Sequence, residues 1–160
     1  MNIEYRPIGV IHSPFTELDG MPIQPAGASG TQGTVELFPD YQEGLKDLEG
    51  FSYIILLYHF HRSRGFDLHV IPFMDSEPRG VFATRAPKRP NPIGLSVVKL
   101  TDIRDGTLHI ENMDIVDGTP LLDIKPYVPE FDGPTAARTG WLEEARKTVA
   151  QRKSDTRFIS

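Results

Sequence analysis

The 160-residue chain contains no cysteine, and this absence narrows the chemistry open to it. Without thiols there is no disulfide framework, no thiolate-bound metal and no cysteine nucleophile. The sequence also lacks an apolar run of about 18 residues, the length that a membrane-spanning helix requires, and its N-terminus shows no basic segment followed by an apolar stretch. We therefore expect a soluble, cytoplasmic protein with no membrane partner.

Long helical patterns are also scarce, and the sequence is mainly β. Helices are predicted only over residues 40–48 and about 134–152, where Trp141 is expected to anchor the second helix by packing. A doubly wound sheet would need alternating long helices. We predict a small, about six-stranded antiparallel or mixed β-barrel in a single domain (1–160, core about 5–130). The predicted strands are residues 5–12, 33–38, 51–60, 93–103, 107–116 and 121–128, with a further short one at 80–84.

The net charge of −5 argues against nucleic acid as a partner, because phosphate binding depends on lysine and arginine. The cations are nevertheless clustered. Residues 79–104 hold four arginines and two lysines against one acid, Asp102, so that this stretch has a local charge of +5. A second excess of basic residues lies near the C-terminus. An anionic ligand would therefore find a basic surface on this acidic chain.

The segment 80–95 combines three prolines with three cations. The prolines stiffen the backbone, so little conformational entropy is lost when an anion is bound. Arg85 and Arg89 are suited to bidentate recognition of a carboxylate or phosphate. The alternative interpretation is a rigid surface loop whose cations only keep it solvated.

The segment 113–127 is rich in carboxylates. Asp114, Asp117 and Asp123 are candidates for contacting hydroxyl groups or a positive charge on a ligand, and Lys125 is a candidate ion-pair partner for one of them. The simpler interpretation makes Asp117-Gly118 a hairpin turn between two strands. The two roles are compatible.

His59 and His61 end the most hydrophobic predicted strand, and alternation would place both imidazoles on one face. A metal pair is conceivable, but the sequence offers neither a third ligand nor a known histidine motif, so no metal site is predicted. A hydrogen-bonding or proton-accepting histidine at the rim of a site is favoured.

Five segments together resemble the TsaA-like family, also known as TrmO, of tRNA N6-threonylcarbamoyladenosine methyltransferases. They are Ile-Gly-Val-Ile-His-Ser-Pro (8–14), Gly-Phe-Ser (50–52), Val-Phe-Ala-Thr-Arg (81–85), Arg-Pro-Asn-Pro-Ile-Gly (89–94), and Asp-Gly-Thr-Pro with Asp-Ile-Lys-Pro-Tyr (117–127). The resemblance implies a small β-barrel methyltransferase that works as a homodimer, binds S-adenosylmethionine near the subunit interface and acts on tRNA.

The resemblance also implies a set of cofactor contacts, whereas the candidate substrate contacts and catalytic bases are chosen because their positions at strand ends and in the adjoining loops are expected to converge. Expected cofactor contacts are Pro22, Ile23, Gln24, His61, Arg62, Arg85, Leu95, Met113, Asp114, Ile115, Val116 and Asp117. Expected substrate contacts are Arg89, Asn91, Lys125 and Tyr127. His61 and Asp114 are the candidate catalytic bases for the proton that the acceptor nitrogen loses.

Two features depart from the family pattern. Arg62 stands where relatives often have glutamine, and many bacterial relatives continue into a second, smaller domain that is not expected here. RNA binding would then rely on the barrel, its dimer partner and the basic C-terminal segment. Two alternatives therefore stay open: a methyltransferase for another nucleoside or a small molecule, and a non-catalytic barrel that binds S-adenosylmethionine or RNA.

Overall fold

A computed structural model describes residues 1–17, 30–73 and 75–147. Six strands close into a barrel in which every neighbouring pair is antiparallel. They are β1 (Gly9–His12), β2 (Gln32–Leu37), β3 (Tyr53–His59), β6 (Ile93–Arg104), β7 (Thr107–Glu111) and β8 (Thr119–Pro126). Around the barrel the order is β1-β2-β7-β6-β3-β8, and β8 pairs with β1 to complete the ring. The predicted fold class, a mainly β six-stranded barrel, is confirmed.

The core follows from strict alternation along the strands. In β3, Ile54, Leu56 and Tyr58 point into the barrel and are buried, whereas Ile55 and Leu57 face outward and are half-buried. Successive side chains of a strand lie on opposite faces, so the inward set of each strand meets the inward sets of the others. The barrel interior is accordingly filled by aliphatic side chains, with few polar groups among them.

Two aspartate-glycine pairs each lie between two predicted strands, and the structure gives the two pairs different roles. Asp105 and Gly106 have φ values of 51° and 76° and join β6 to β7, as the left-handed preference of such pairs predicts. Asp117 and Gly118 are not a hairpin turn, and that prediction is wrong. The barrel places β7 between β2 and β6, and β8 between β3 and β1, so the segment between β7 and β8 crosses the barrel end.

Several element boundaries also differ from prediction, each for a local reason. The strand predicted at 107–116 ends at Glu111 because Asn112 has φ 65°. The strand predicted at 80–84 is wrong: Val81–Ala83 form a 3-10 turn whose Val81 carbonyl accepts hydrogen bonds from the Thr84 amide and hydroxyl. The helix predicted at 40–48 is two 3-10 turns, Pro39–Leu45 and Leu48–Gly50, because Asp47 between them has φ 70°.

A small arm and a short C-terminal helix lie beside the barrel. The arm pairs β4 (His69–Val70) with β5 (Arg79–Gly80). After the single turn α1 (Pro129–Asp132), helical structure resumes only at residues 141–147 (α2), since Gly140 has φ 55°; residues 148–152 of the predicted helix lie outside the described part of the chain. Within residues 1–17, 30–73 and 75–147, no helix combines the length and apolar character required to cross a bilayer.

Candidate active site

Three polar side chains meet at one end of the barrel and form the tyrosine–serine–aspartate cluster (Tyr58, Ser96 and Asp114). The Tyr58 hydroxyl lies 2.9 Å from Ser96 Oγ, and Ser96 Oγ lies 2.7 Å from Asp114 Oδ1. Tyr58 is 6% exposed and Ser96 only 1%, whereas Asp114 is half-buried. The cluster is therefore a polar chain that starts in the core and ends in a carboxylate at the barrel mouth.

The burial of the cluster controls its charges. Burial raises the pKa of the Asp114 carboxyl, and the Ser96 hydrogen bond and the nearby Arg85 guanidinium oppose this shift. Burial, together with the Asp114 charge, raises the pKa of Tyr58 to about 12. Tyr58 thus stays a neutral hydrogen-bond donor at physiological pH. The surroundings of Asp114 solvate a negative charge poorly, so its ionised form favours a cation or a proton beside it.

The loop that carries Asp114, residues 112–118, is fixed by the motif His-Ser-Pro at the end of β1. The Ser13 hydroxyl donates to the Ile115 carbonyl, and the Ser13 amide donates to Asp117 Oδ1 at 3.0 Å. In return, the amide of Asp117 donates to the Phe15 carbonyl at 2.7 Å. Two segments more than 100 residues apart in sequence are thereby cross-linked, which gives both motifs a shared structural role. Asp117 is thus part of this brace.

The segment between the arm and β6, residues 84–92, is the cationic loop. Arg89 Nη1 donates to the carbonyls of Thr84 and Ala86, both at 3.0 Å, and so holds the backbone on both sides of Arg85. Arg85 itself is exposed, forms no ion pair within the described residues, and is close enough to Asp114 and Tyr58 to influence their ionisation. Arg85 is therefore the free cation of this loop beside Asp114, and Arg89 organises the loop.

The C-terminal helix reaches the same loop. Trp141 Nε1 donates to the Ala83 carbonyl at 2.8 Å, immediately before Thr84, and the Arg79 guanidinium lies 5.8 Å from the indole ring. Arg79 is held in turn by Asp75, with 2.6 Å between Nε and Oδ2. The packing role predicted for Trp141 takes the form of a hydrogen bond that ties α2 to the start of the cationic loop.

His61 and Arg62 follow β3 in a turn. Partial burial, Arg62 and His59 together lower the pKa of His61, so its imidazole is neutral at physiological pH. These neighbours influence His61 more than any carboxylate does. Within the described residues, no group of three or more histidine, aspartate or glutamate side chains is arranged to hold a metal ion.

The other predicted site residues are spread over the barrel. Three of the predicted cofactor contacts are buried in or beside the core: Met113, Ile115 and Val116. The side chains of Asp114 and Asp117, in the same loop, are only half-buried. Leu95 points outward from β6 and is 42% exposed. Pro22, Ile23 and Gln24 lie outside the described residues.

Three predicted substrate residues remain. Asn91 lines a groove of about 480 Å³ together with Tyr5, His59 and Ile93. Lys125 forms an ion pair with Asp123 at 2.9 Å, and Tyr127 packs edge-on against Tyr53. The structure does not bring Lys125 and Tyr127 to the cluster within one chain. Lys125 lies four residues from Leu121, which pairs with Tyr58, and this is roughly 13 Å along the strand.

Sequence reasoning missed Tyr58 and Ser96. Ser96 occupies an inward position of β6, between Gly94 and Val98 and in an otherwise apolar series. A hydroxyl at such a position requires a hydrogen-bond partner in the interior. The pattern of alternation could therefore have marked Ser96 as unusual, although it could not have named its partners.

Comparison with known proteins places this geometry in a family. A profile described as the tRNA-methyltransferase O N-terminal domain matches residues 10–133. A probable S-adenosyl-L-methionine-binding protein of Pyrococcus abyssi is 57% identical over 156 residues, covering 98% of this chain and 85% of the relative. A tRNA (adenine(37)-N6)-methyltransferase of Mus musculus is 35% identical over 140 residues, covering 83% of this chain.

Solved structures agree with this assignment. The crystal structure of TrmO from Pseudomonas aeruginosa matches with a TM-score of 0.75 and 43% identity over 88% of this chain. The match covers 62% of that chain, and the aligned region covers 32% of the mouse relative. The present chain belongs to the tRNA-methyltransferase O (TrmO) family and contains its N-terminal domain.

Proposed function

We propose that this protein is an S-adenosylmethionine-dependent methyltransferase that N6-methylates threonylcarbamoyladenosine beside a tRNA anticodon, in the cytoplasm. The observation that carries the proposal is the half-buried Asp114 carboxylate with the exposed Arg85 guanidinium close enough to influence its pKa. The expected enzyme class and cofactor agree with the names of the relatives, which include S-adenosyl-L-methionine-binding proteins and tRNA adenine-N6 methyltransferases.

The residues of the site suit the charges of S-adenosylmethionine. Its sulfonium is cationic and its methionine carboxylate is anionic. Asp114 supplies a carboxylate whose burial makes a neighbouring cation favourable, and Arg85 supplies a guanidinium able to bind a carboxylate through two hydrogen bonds. A site that combines the Asp114 carboxylate with the Arg85 guanidinium therefore fits the cofactor better than it fits a neutral ligand.

The cofactor, when bound, supplies an activated methyl group. The chain then has to orient the acceptor and remove one proton, because the methyl donor needs no further activation. The N6 nitrogen of threonylcarbamoyladenosine carries both a purine ring and a carbamoyl carbonyl, which make its hydrogen more acidic than that of an ordinary aromatic amine. A carboxylate is a sufficient base for such a proton.

Asp114 is the favoured base of the two candidates. The bound cofactor would supply the methyl group, and Asp114 would lie beside the acceptor nitrogen as the carboxylate that accepts the proton which N6 loses. A carboxylate with a raised pKa is a stronger base than an ordinary one. His61 is neutral and able to accept a proton, but its charged neighbour is Arg62, which disfavours the imidazolium that it would become.

The cationic surfaces support an RNA substrate. The Trp141 hydrogen bond to the Ala83 carbonyl ties α2 to the start of the cationic loop, and this loop carries the exposed side chains of Arg85 and Lys88. Phosphate contacts of this kind supply most sequence-independent affinity for RNA. The match to proteins named as tRNA methyltransferases points to tRNA as the source of these phosphates.

We propose further that two copies associate through the outer face of β3 and β6. This face carries apolar side chains on neighbouring strands, where a solvent-facing sheet would be polar. Leu57 pairs with Leu95 and Ile55 with Val97, and Ile93 and Leu95 are 41% and 42% exposed. A partner on this face would also place Leu95 at a subunit interface, where the family resemblance puts a cofactor contact.

Analytical ultracentrifugation tests the dimer. Leu95→Glu should produce monomers, whereas Phe131→Glu, an equally drastic change at an exposed position on α1, should leave the dimer intact. A wild-type protein that sediments as a monomer at micromolar concentration would refute the proposed interface.

Calorimetry with S-adenosylmethionine and a labelled transfer assay separate the proposed function from its alternatives. Saturable binding, with methyl transfer only to tRNA that carries threonylcarbamoyladenosine, supports the proposal. Binding with transfer to another acceptor selects a different substrate. Binding without any transfer indicates a non-catalytic barrel. Absence of cofactor binding rules out both hypotheses in which the protein is a methyltransferase.

A further inference from the structure

We propose that Ser96, held by Tyr58, is a positioning residue that fixes one oxygen of the Asp114 carboxylate and leaves the other oxygen for the reacting groups. This inference rests on the proposed function, since it assigns a task to residues that touch neither cofactor nor substrate. It concerns the two members of the cluster that the proposed mechanism leaves unused.

The direction of the hydrogen bonds follows from the chemistry of the three groups. An ionised carboxylate only accepts, so the Ser96 hydroxyl must donate to Asp114 Oδ1 across 2.7 Å. The remaining lone pairs of Ser96 Oγ then accept from the Tyr58 hydroxyl across 2.9 Å. The order is therefore unique: tyrosine donates to serine, and serine donates to aspartate.

The burial of Ser96 indicates that the hydrogen bonds from Tyr58 to Ser96 and from Ser96 to Asp114 do more than fill the core. Ser96 is 1% exposed and lies on the inward face of β6, where the next inward residues, Val98 and Leu100, are apolar. A buried hydroxyl is costly unless it is hydrogen-bonded. Thr119, which is also a buried polar residue, donates its hydroxyl to the Val116 carbonyl within its own turn. Ser96 instead directs its proton to the Asp114 carboxylate at the barrel mouth.

The Tyr58 ring occupies the space that is open because Gly94 has no side chain. Gly94 pairs with Tyr58 across β6 and β3, and a Cβ at position 94 would overlap the Tyr58 ring and lie 2.9 Å from Phe60 Cζ. Phe60 also packs edge-on against Tyr58, with ring centroids 5.5 Å apart. The ring therefore lies over Gly94 and its hydroxyl reaches Ser96, two residues further along the same face.

The hydrogen bonds from Tyr58 through Ser96 orient the Asp114 carboxylate, and they do not conduct its proton away. Burial raises the pKa of Tyr58 to about 12, so Tyr58 stays protonated while Asp114 changes its state. Among the described side chains, Ser96 is the donor to the Asp114 carboxylate, and the backbone amide of Asp114 gives a further hydrogen bond that lowers its pKa. Within the same residues, the second oxygen, Oδ2, has no side-chain donor. Because Oδ1 is engaged by Ser96, rotation of the carboxylate is restricted and Oδ2 is presented in one direction.

The test compares Ser96→Ala and Tyr58→Phe with Val98→Ala, a control that opens a core cavity on the same face of β6. The first measurement is a carbon-13 titration of the Asp114 carboxyl in cofactor-free protein. The Ser96 hydrogen bond lowers the pKa of Asp114, so Ser96→Ala should raise it, Tyr58→Phe should raise it less, and Val98→Ala should leave it unchanged. The second measurement is the pH profile of kcat with modified tRNA.

In Ser96→Ala, kcat should fall about tenfold or more with little change in KM for tRNA, and the acidic limb of the profile should move to higher pH. Loss of activity in Val98→Ala equal to that in Ser96→Ala would overturn the proposal, because general destabilisation would then explain both. An unchanged Asp114 pKa in Ser96→Ala, or a changed pKa with wild-type kcat, would also overturn it.

Failure of the proposed function gives a different result. If wild-type protein transfers no methyl group to any tRNA, the titration is unaffected and calorimetry with S-adenosylmethionine replaces kinetics. Weaker cofactor binding in Ser96→Ala than in Val98→Ala would then support the positioning role, and equal binding would reject it.

Discussion

Gly94 and Tyr58 face each other across β6 and β3, and the Tyr58 ring occupies the space that a side chain at position 94 would need. The Pro-Ile-Gly motif, which carries part of the family resemblance, therefore has a physical explanation at its glycine. It admits an aromatic ring into the barrel end and lets the tyrosine hydroxyl reach Ser96. The motif thus ends the cationic loop and also makes room for the Tyr58 ring of the tyrosine–serine–aspartate cluster.

Gly94→Ala should destabilise the protein by about 1–3 kcal/mol, the usual range for overpacking a filled core. Urea denaturation followed by circular dichroism measures this change. In a double-mutant cycle with Tyr58→Ala, the cost of Gly94→Ala should fall sharply because the overlapping ring is gone. If Gly94→Ala destabilises the protein equally with Tyr58 and with Tyr58→Ala, the Tyr58 ring is not the reason why position 94 requires glycine.

Asp114→Asn should stabilise the cofactor-free protein at neutral pH while abolishing turnover. The folded state raises the pKa of Asp114, so between its unfolded and folded pKa the native state binds more protons and stability falls as pH rises. The asparagine variant lacks this loss. Its advantage in Tm should shrink as the pH is lowered towards the unfolded pKa. A variant less stable than wild type at pH 7 would contradict the buried-charge interpretation.

Arg85→Ala should weaken S-adenosylmethionine binding about tenfold or more, as expected for loss of a charge-assisted pair. Lys88→Ala removes an equal charge from an exposed position of the same loop and serves as the control. Isothermal titration calorimetry measures both. If the two variants bind alike, the loop contributes only general charge and Arg85 has no specific role.

Trp141→Phe should cost roughly 1 kcal/mol in stability, because it removes the hydrogen bond to the Ala83 carbonyl and keeps an aromatic ring beside Arg79. It should also weaken cofactor binding, since Ala83 precedes Thr84 and Arg85. Chemical denaturation and calorimetry measure the two effects. Unchanged cofactor affinity would show that α2 supports the arm without ordering the cationic loop.

The strands were predictable because their signal is local. Residues 53–59 and 93–104 alternate or form apolar runs within a few positions, and the structure confirms strands at both. The prediction of a hairpin at Asp117-Gly118 was wrong, because the same residues also suit a loop that crosses the barrel end. Only the barrel order shows that β7 and β8 are not neighbours.

The candidate site was partly predictable for the same reason. Asp114 and Arg85 stood out through charge and motif. Ser96 and Tyr58 did not, because they meet through the register of β3 and β6 and are 38 residues apart in sequence. The role of Ser13 as a brace for the loop of Asp114 depends on a contact across 102 residues, which no local pattern encodes.

The most direct test of the central claim is mass spectrometry of nucleosides from tRNA treated with purified protein and S-adenosylmethionine. With tRNA carrying threonylcarbamoyladenosine, we expect its N6-methylated form with wild-type protein and with Val98→Ala, and none with Asp114→Asn. Unmodified tRNA should gain no methyl group. Full methylation by Asp114→Asn, or methylation of unmodified adenosine alone, would contradict the central claim.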